Sequence, residues 1–424
     1  MKIYKILNNY FLEISFFLIF FIFVCYFYQS FLNDFSTSNY AYNELFINYH
    51  SGFIRRGLLG ELFFKLNLIF NINHKIFFGI LFVTIYTLEI IFFYLILKKI
   101  KNFKVLITLI AFSPALLLFS IYDTNVYFVK DVFIKISILI HAIIFNTYKN
   151  NIKKYSIYLR YLIIPLLFFI ILFIHEYQVL FISIHVLFTT YFNYRNKVNN
   201  KYNLNYYLIL TVPVLLVFLF IGNVDDYQNL TKFLNTHNIQ IHQQIGLGLK
   251  GLLGGFYKWH FYYFSYRDFI QLLFSIFLSC GCFYFLFHYF MLKKIIIVGN
   301  DVKKNYILFF IPTLFIFLNI DHGRNLSLLS THLIIFYLVL DFNKFNLLNF
   351  FKIIKKNFYL KNFLYILIFI YLFLWVLPQN AGFGDKEQTN TIFKSSIFAE
   401  VIKAVKFIYY FVDKYFITLP EIKL

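Results

Sequence analysis

FLEISFFLIFFIFVCYFYQSFL, residues 11–32, is an apolar run broken by one carboxylate, Glu13. About 20 such residues in a helix cross the roughly 30 Å hydrocarbon core of a bilayer. The basic stretch MKIYKILNNY precedes it and no small-residue cleavage site follows. The run is also longer than a signal-peptide core, so it predicts a retained first helix with a cytoplasmic N-terminus. Comparable runs recur at 76–97, 104–122, 127–147, 157–174, 177–193, 205–222, 268–291, 305–320, 325–341 and 359–377. Together they predict an all-α, polytopic transmembrane helix bundle of about eleven spans. With 61% of all residues hydrophobic and 24% of all residues aromatic, no water-soluble packing could hide the apolar surface.

The net charge of +20 would suggest a nucleic-acid partner in a soluble chain, but here its distribution follows the spans. Alternating sides from a cytoplasmic N-terminus puts more than half of the 39 Lys and Arg in short cytoplasmic segments. Asp301 and Asp341 are the acids there, with Glu13 at the edge. That asymmetry is the positive-inside pattern of a multi-pass cytoplasmic-membrane protein, and it leaves no call for nucleic acid. Residues 1–378 then form one integral membrane domain with large outer loops at 33–75 and 223–267. The tail, 379–424, falls outside as well, and Phe393, Ile397, Val401, Val405, Ile408 and Val412 give it one apolar helical stripe. Cys25, Cys280 and Cys282 all lie in apolar runs and suggest neither a disulfide framework nor a zinc cluster.

Within the first outer loop, YHSGFIRRGLLGELFFKL (residues 49–66) sets Arg55 and Arg56 beside a glycine hinge. Leu58, Leu59, Leu62, Phe63, Leu66 and Phe70 follow at helical spacing, with Glu61 and Lys65 on the other face, which predicts an interfacial amphipathic helix. Lipid headgroups alone would account for such arginines. What argues for more is that the ionisable clusters at span boundaries share this side. Asp34 and Glu44 lie in the same loop, Asp123, Lys130 and Asp131 in YDTNVYFVKD, His175 and Glu176 in FIHEYQ, and Asp321, His322 and Arg324 in NIDHGRN. A merely soluble turn needs only Asn, Ser or Gly. Acids paired with bases at that depth are costly unless they face one another or a cavity, so one shared polar site is expected.

Histidines and carboxylates on this side are the residue types that hold a divalent metal, but no spacing marks such a site and no cofactor is assigned. HEYQ lacks the second histidine of the zinc-protease motif, and the chain has no GxxxxGK, GxGxxG or GxSxG motif. Glu89, inside a span, is expected to be neutralised by a neighbouring helix.

In its many spans, cytoplasmic N-terminus and large first outer loop, the chain resembles the GT-C class of integral-membrane glycosyltransferases. GFIRRGLLG, KD, HE and DHGR also look like uncharacterised bacterial membrane proteins of surface-polysaccharide gene sets. The GT-C resemblance implies a polyprenyl-phosphate-linked sugar as donor and a glycan or lipid acceptor. It also implies an acid in the first outer loop, matched here by Asp34 or Glu44, and a second acidic position, matched by Asp123 or Asp131. The outer loops contain no DxD. In that scheme a carboxylate removes the acceptor's proton, while Arg55, Arg56, Lys130 or Arg324 holds the phosphate. His175 and Glu176 orient a partner, and Asp321 and His322 complete the rim. A polysaccharide polymerase or ligase using a lipid pyrophosphate uses the same arginine chemistry. A transporter or flippase instead needs charged or broken helices near the bilayer midplane.

Overall fold

The computed structural model describes residues 10–32, 40–50, 56–100, 103–119, 129–151, 163–197, 224–237, 266–296, 322–341 and 357–373, with isolated positions at 239, 312, 349, 352, 354, 356 and 377. Among them the chain is all-helical, 84% helix and without a strand. A bilayer favours this outcome, because a helix satisfies its own backbone hydrogen bonds where no water can. The helices are α1 (Phe11–Leu32), α2 (Leu58–Phe70), α3 (His74–Leu97), α4 (Lys104–Ala111), α5 (Asp131–Tyr148) and α6 (Ile164–Ile174). They continue with α7 (Ile182–Arg195), α8 (Val224–Thr236), α9 (Tyr266–Ile276), α10 (Cys282–Leu292), α11 (His322–Val339) and α12 (Phe358–Phe373). A π-helical turn, Phe277–Gly281, joins α9 to α10.

Three stretches, His74–Ile100, Asp131–Tyr148 and Leu272–Leu292, are long and apolar enough to cross a membrane, and Phe11–Cys25, Ile164–Ile174 and Lys361–Leu372 are shorter apolar helices. Phe17, Ile80, Phe285 and Phe369 stand exposed on outward faces, as lipid-facing side chains do. The run at 205–222, that at 305–320 apart from position 312, the tail 379–424 and most of the loop 223–267 lie outside the described residues.

Side-chain contacts fix the helix directions. Between α3 and α5 they run Phe82 to Phe133, Glu89 to Lys135 and, just past the end of α3, Lys99 to Asn146, so these two helices run parallel. Contacts of His141 with His185 and of Phe145 with Phe192 make α7 parallel to α5. Arg324 meets Asp131 at one end and Asp341 meets Lys149 at the other, so α11 is parallel as well. In contrast, α1 runs against α3, with Phe23 on Tyr86 and Phe16 on Tyr94. Four parallel helices thus bring their N-termini to one end and their C-termini to the other. At their centre, every residue of α11 from Gly323 to Val339 is buried, as is Leu340 after it.

Two expectations are corrected. The run at 104–122 is not one continuous helix: α4 stops at Ala111 and the chain turns through Ser113 and Pro114. Proline cannot donate to the helical ladder and disfavours helix in the residue before it. The glycines of GLLG are also not a hinge. A Cβ on Gly60 would lie 2.2 Å from the Ile47 carbonyl oxygen, and one on Gly57 would lie 2.3 Å from the Tyr49 ring. They are points of close approach that let the loop 44–50 press on the first turn of α2. That helix forms as expected, with the Glu61–Lys65 pair at 3.1 Å. Its buried face is Leu59, Gly60 and Phe63, while Leu62, Leu68, Ile69 and Phe70 point outward.

Candidate functional site: a buried ion-pair cluster

At the N-terminal end of the parallel helices, five separate stretches of chain deliver charged groups to one place. Glu44 opens a 3₁₀ turn before α2, and Arg56 lies just ahead of Gly57 at the head of α2. Lys130 and Asp131 begin α5, His175 ends α6, and Arg324 sits in the first turn of α11. All six are buried. Arg56 donates from Nη1 to both Glu44 oxygens, at 3.0 and 2.9 Å. Arg324 grips Asp131 as a fork, Nε to Oδ2 at 2.8 Å and Nη2 to Oδ1 at 3.1 Å. This planar match is what guanidinium offers a carboxylate and ammonium does not.

Two residues tie the pairs together. Lys130 donates from Nζ to the backbone oxygens of Glu44 and Arg56, both at 2.9 Å. Arg56 lies over the Tyr177 ring, 5.8 Å from its centroid, a cation–π contact across to the α6–α7 turn. In that turn the Tyr177 N–H donates to His175 Nδ1 at 3.2 Å. The ring proton of a neutral His175 therefore belongs on Nε2, which faces Asp131 Oδ1 at 3.0 Å.

Arg56 has φ of 64°, the left-handed region that a side chain with a Cβ seldom enters. Its guanidinium on Glu44, its carbonyl under Lys130 and its ring contact with Tyr177 over-determine that conformation. Close by, burial and then the neighbouring charge of Glu61 push the Tyr49 hydroxyl up, so it stays protonated. From the second large loop, Phe233 of α8 stacks on His50 at 4.1 Å and Phe64 meets Phe233 at 5.2 Å, so α8 covers the same end.

Of the sequence-derived site residues, the structure brings together Glu44, Arg56, Lys130, Asp131, His175 and Arg324. Asp34, Arg55, Asp123 and Asp321, and the side chains of Glu176 and His322, lie outside the described residues. The geometry gives Glu44 and Asp131 a charge-holding role. Each has both oxygens engaged by a guanidinium, which leaves it poorly placed to take a proton from a substrate. Three cations, Arg56, Lys130 and Arg324, surround these two carboxylates, and the positive ends of the parallel helices point the same way. Among the described residues the cluster thus holds one more cation than it holds carboxylates. Among the described residues no group of three or more His, Cys, Asp or Glu side chains is placed to hold a metal ion.

Sequence reasoning missed the polar residues one or more turns below the cluster. Lys135 lies 3.7 Å from Glu89, both nearly sealed from solvent, and this is the neighbour that Glu89 requires. A cavity of about 10 Å³, room for roughly one water, separates Lys135 from Asp131 and Arg324, with Tyr86 and Phe119 in its wall. Deeper still lie Ser137, His141, Gln178, His185 and His332, all buried. The available signal was Lys135 itself, a charge four residues after Asp131 and hence on the same face of a span. Asp341 forms the cluster at the opposite end, with Lys149 Nζ at 2.8 Å, Arg195, and the Tyr191 hydroxyl at 3.2 Å. No family model, curated protein or solved structure matches the chain.

Proposed function

We propose that the protein is a membrane glycosyltransferase that moves a sugar from a polyprenyl-phosphate donor to a glycan or lipid acceptor. In this reading the chain crosses the cytoplasmic membrane about eleven times, N-terminus inside and C-terminus outside, and works at the outer face in surface-glycan assembly. The observation that carries it is the gathering of Arg56, Lys130 and Arg324 with two carboxylates at the N-terminal head of four parallel helices. Its chemistry suits a phosphate tethered to a lipid, which can approach within the bilayer plane. Arg56 and Arg324 frame that site while holding their own carboxylates, and Arg55 is the arginine proposed to reach the donor. With Glu44 and Asp131 committed to ion pairs, the base is Asp34 or Asp123. It takes the proton of the acceptor hydroxyl as that oxygen attacks the anomeric carbon and the lipid phosphate leaves.

The test is sugar transfer by the purified protein from a polyprenyl-phosphate sugar, with donor binding measured on the same preparation. At least one of Asp34→Asn and Asp123→Asn should lose about a hundredfold in turnover while still binding donor. Arg55→Ala should weaken binding. Full transfer by both Asn variants removes the proposed bases, and transfer from a lipid pyrophosphate alone would make the protein a polymerase or ligase instead. Topology is checked separately. A cysteine placed at exposed Asn71 should react with an impermeant reagent from outside and one at exposed Asn151 should not.

A further inference from the structure

The polar groups below the cluster form a ladder. Asp131 and His141 are ten residues apart on α5, about 15 Å at 1.5 Å per residue, or half the roughly 30 Å apolar thickness of a bilayer. At the lower end, His141 Nδ1 and His185 Nδ1 lie 2.9 Å apart. The ring centroids are 5.1 Å apart and the planes differ by 13°. With nitrogens that close and centroids that far apart, the rings meet edge to edge in nearly one plane, joined by an N–H···N hydrogen bond. A tetrahedral zinc ion would hold two histidine nitrogens at about 2.0–2.1 Å each, and therefore farther apart than this. The pair is built around a proton.

Its surroundings lead back to the cluster. His185 Nε2 lies 3.4 Å from Ser137 Oγ and 3.5 Å from Gln178 Nε2, and the Gln178 amide donates to Ser137 Oγ at 3.0 Å. Gln178 lies in the 3₁₀ turn that His175 caps, and its backbone N–H donates to the His175 carbonyl at 3.3 Å. From α11, His332 holds its Nδ1 on the Leu328 carbonyl at 2.7 Å, its ring 6.4 Å from that of His185. Its Nε2 is buried and has no hydrogen-bond partner among the described residues. From α6, Phe168 closes the edge of His185, and from α5 and α3 come Lys135 and Glu89. Beyond His141, toward the far end, Phe145, Phe188, Tyr191 and Phe192 pack against one another and the ladder stops.

We infer that the chain carries a proton-binding site at mid-bundle, an imidazole pair in which His141 and His185 share one proton, open toward the charged cluster past the polar side chains of Gln178 and Ser137 and closed on the opposite side by an aromatic layer. An arriving proton adds to the outer nitrogen of the pair, and the shared proton shifts between the two Nδ1 atoms. The departing proton leaves by the same route. No bond between heavy atoms is made or broken and no oxidant or reductant is needed. The site stands whether or not the protein transfers sugars, and it is the feature that a proton-linked membrane activity requires.

The test is nitrogen-15 NMR of histidine-labelled full-length protein in phosphatidylglycerol nanodiscs. A coupling across the hydrogen bond between His141 and His185 is expected, carried by the single proton that the two rings share. His185→Phe should abolish the coupling. Gln178→Leu and Ser137→Ala should keep the coupling but slow proton exchange with bulk several-fold, whereas Arg195→Gln at the far end should leave the rate unchanged. The wild-type coupling does not depend on any variant folding. Its absence would overturn the pair, as would stoichiometric retention of added zinc by it. An exchange rate unaffected by both Gln178→Leu and Ser137→Ala would overturn the route.

Discussion

The two ends of the parallel helices hold ion pairs of the same chemistry in opposite settings. At the N-terminal end, Asp131 and Arg324 have side chains 8% exposed and meet in a fork. At the C-terminal end the Asp341 side chain is 39% exposed and those of Lys149 and Arg195 are 21% and 26% exposed. Desolvation separates the two cases. A charge that has already lost its water depends wholly on its partner, whereas one at the surface can exchange a partner for water and counterions. An ion pair at the first end is therefore a commitment of the fold, and at the second an adjustment of it.

Arg324→Ala should test that difference most severely. It strands Asp131 beside His175 and should cost about 3–5 kcal/mol, read as a large drop in unfolding midpoint and in the folded fraction after extraction. Replacing both partners, Asp131→Leu with Arg324→Leu, should recover much of the loss, because no charge is left without its counterpart. If the single variant is as stable as the wild type, the cluster is solvated and the contrast between the ends is lost.

The positions of these charges were legible in the sequence because turns between apolar runs expose them. Asp131, His175 and Arg324 each stand at such a boundary. Their pairing was not legible, since Arg324 reaches Asp131 across 193 positions and only the packing of α11 against α5 sets that distance. The helix α2 followed from its periodicity, but its glycine contacts did not, because close approach of the loop at Ile47 leaves no mark in composition. His141, His185 and His332 escaped for another reason. A lone histidine in an apolar run looks like any core residue until the helix facing it is known.

Gly60→Ala should have the next largest effect. The new methyl would collide with the backbone at Ile47 rather than with a side chain that can turn aside, and overpacking of this kind costs about 1–3 kcal/mol. The loop 44–50 must then lift, and the Glu44 contacts with Arg56 and Lys130 move with it. A lowered unfolding midpoint together with faster backbone hydrogen exchange over 44–50 is expected. Loss of stability without faster exchange there would place the strain within α2 instead, and would detach Gly60 from the cluster.

Lys149→Gln should change least. The Lys149 ammonium is half-buried, and burial together with the nearby Arg195 charge already holds its proton affinity below the usual lysine range. Its removal leaves Asp341 with Arg195 and with the Tyr191 hydroxyl, which also accepts from the Asp341 backbone N–H at 3.0 Å. The cost should be about 0–1 kcal/mol. Ionic strength separates it from Arg324→Ala. At about 1 M salt the screening length falls to roughly 3 Å, so the small effect of Lys149→Gln should fade while that of Arg324→Ala persists, its charges lying where salt does not reach. Equal salt sensitivity at both ends would mean that water enters the N-terminal cluster. The buried pairs would then be surface pairs in all but position.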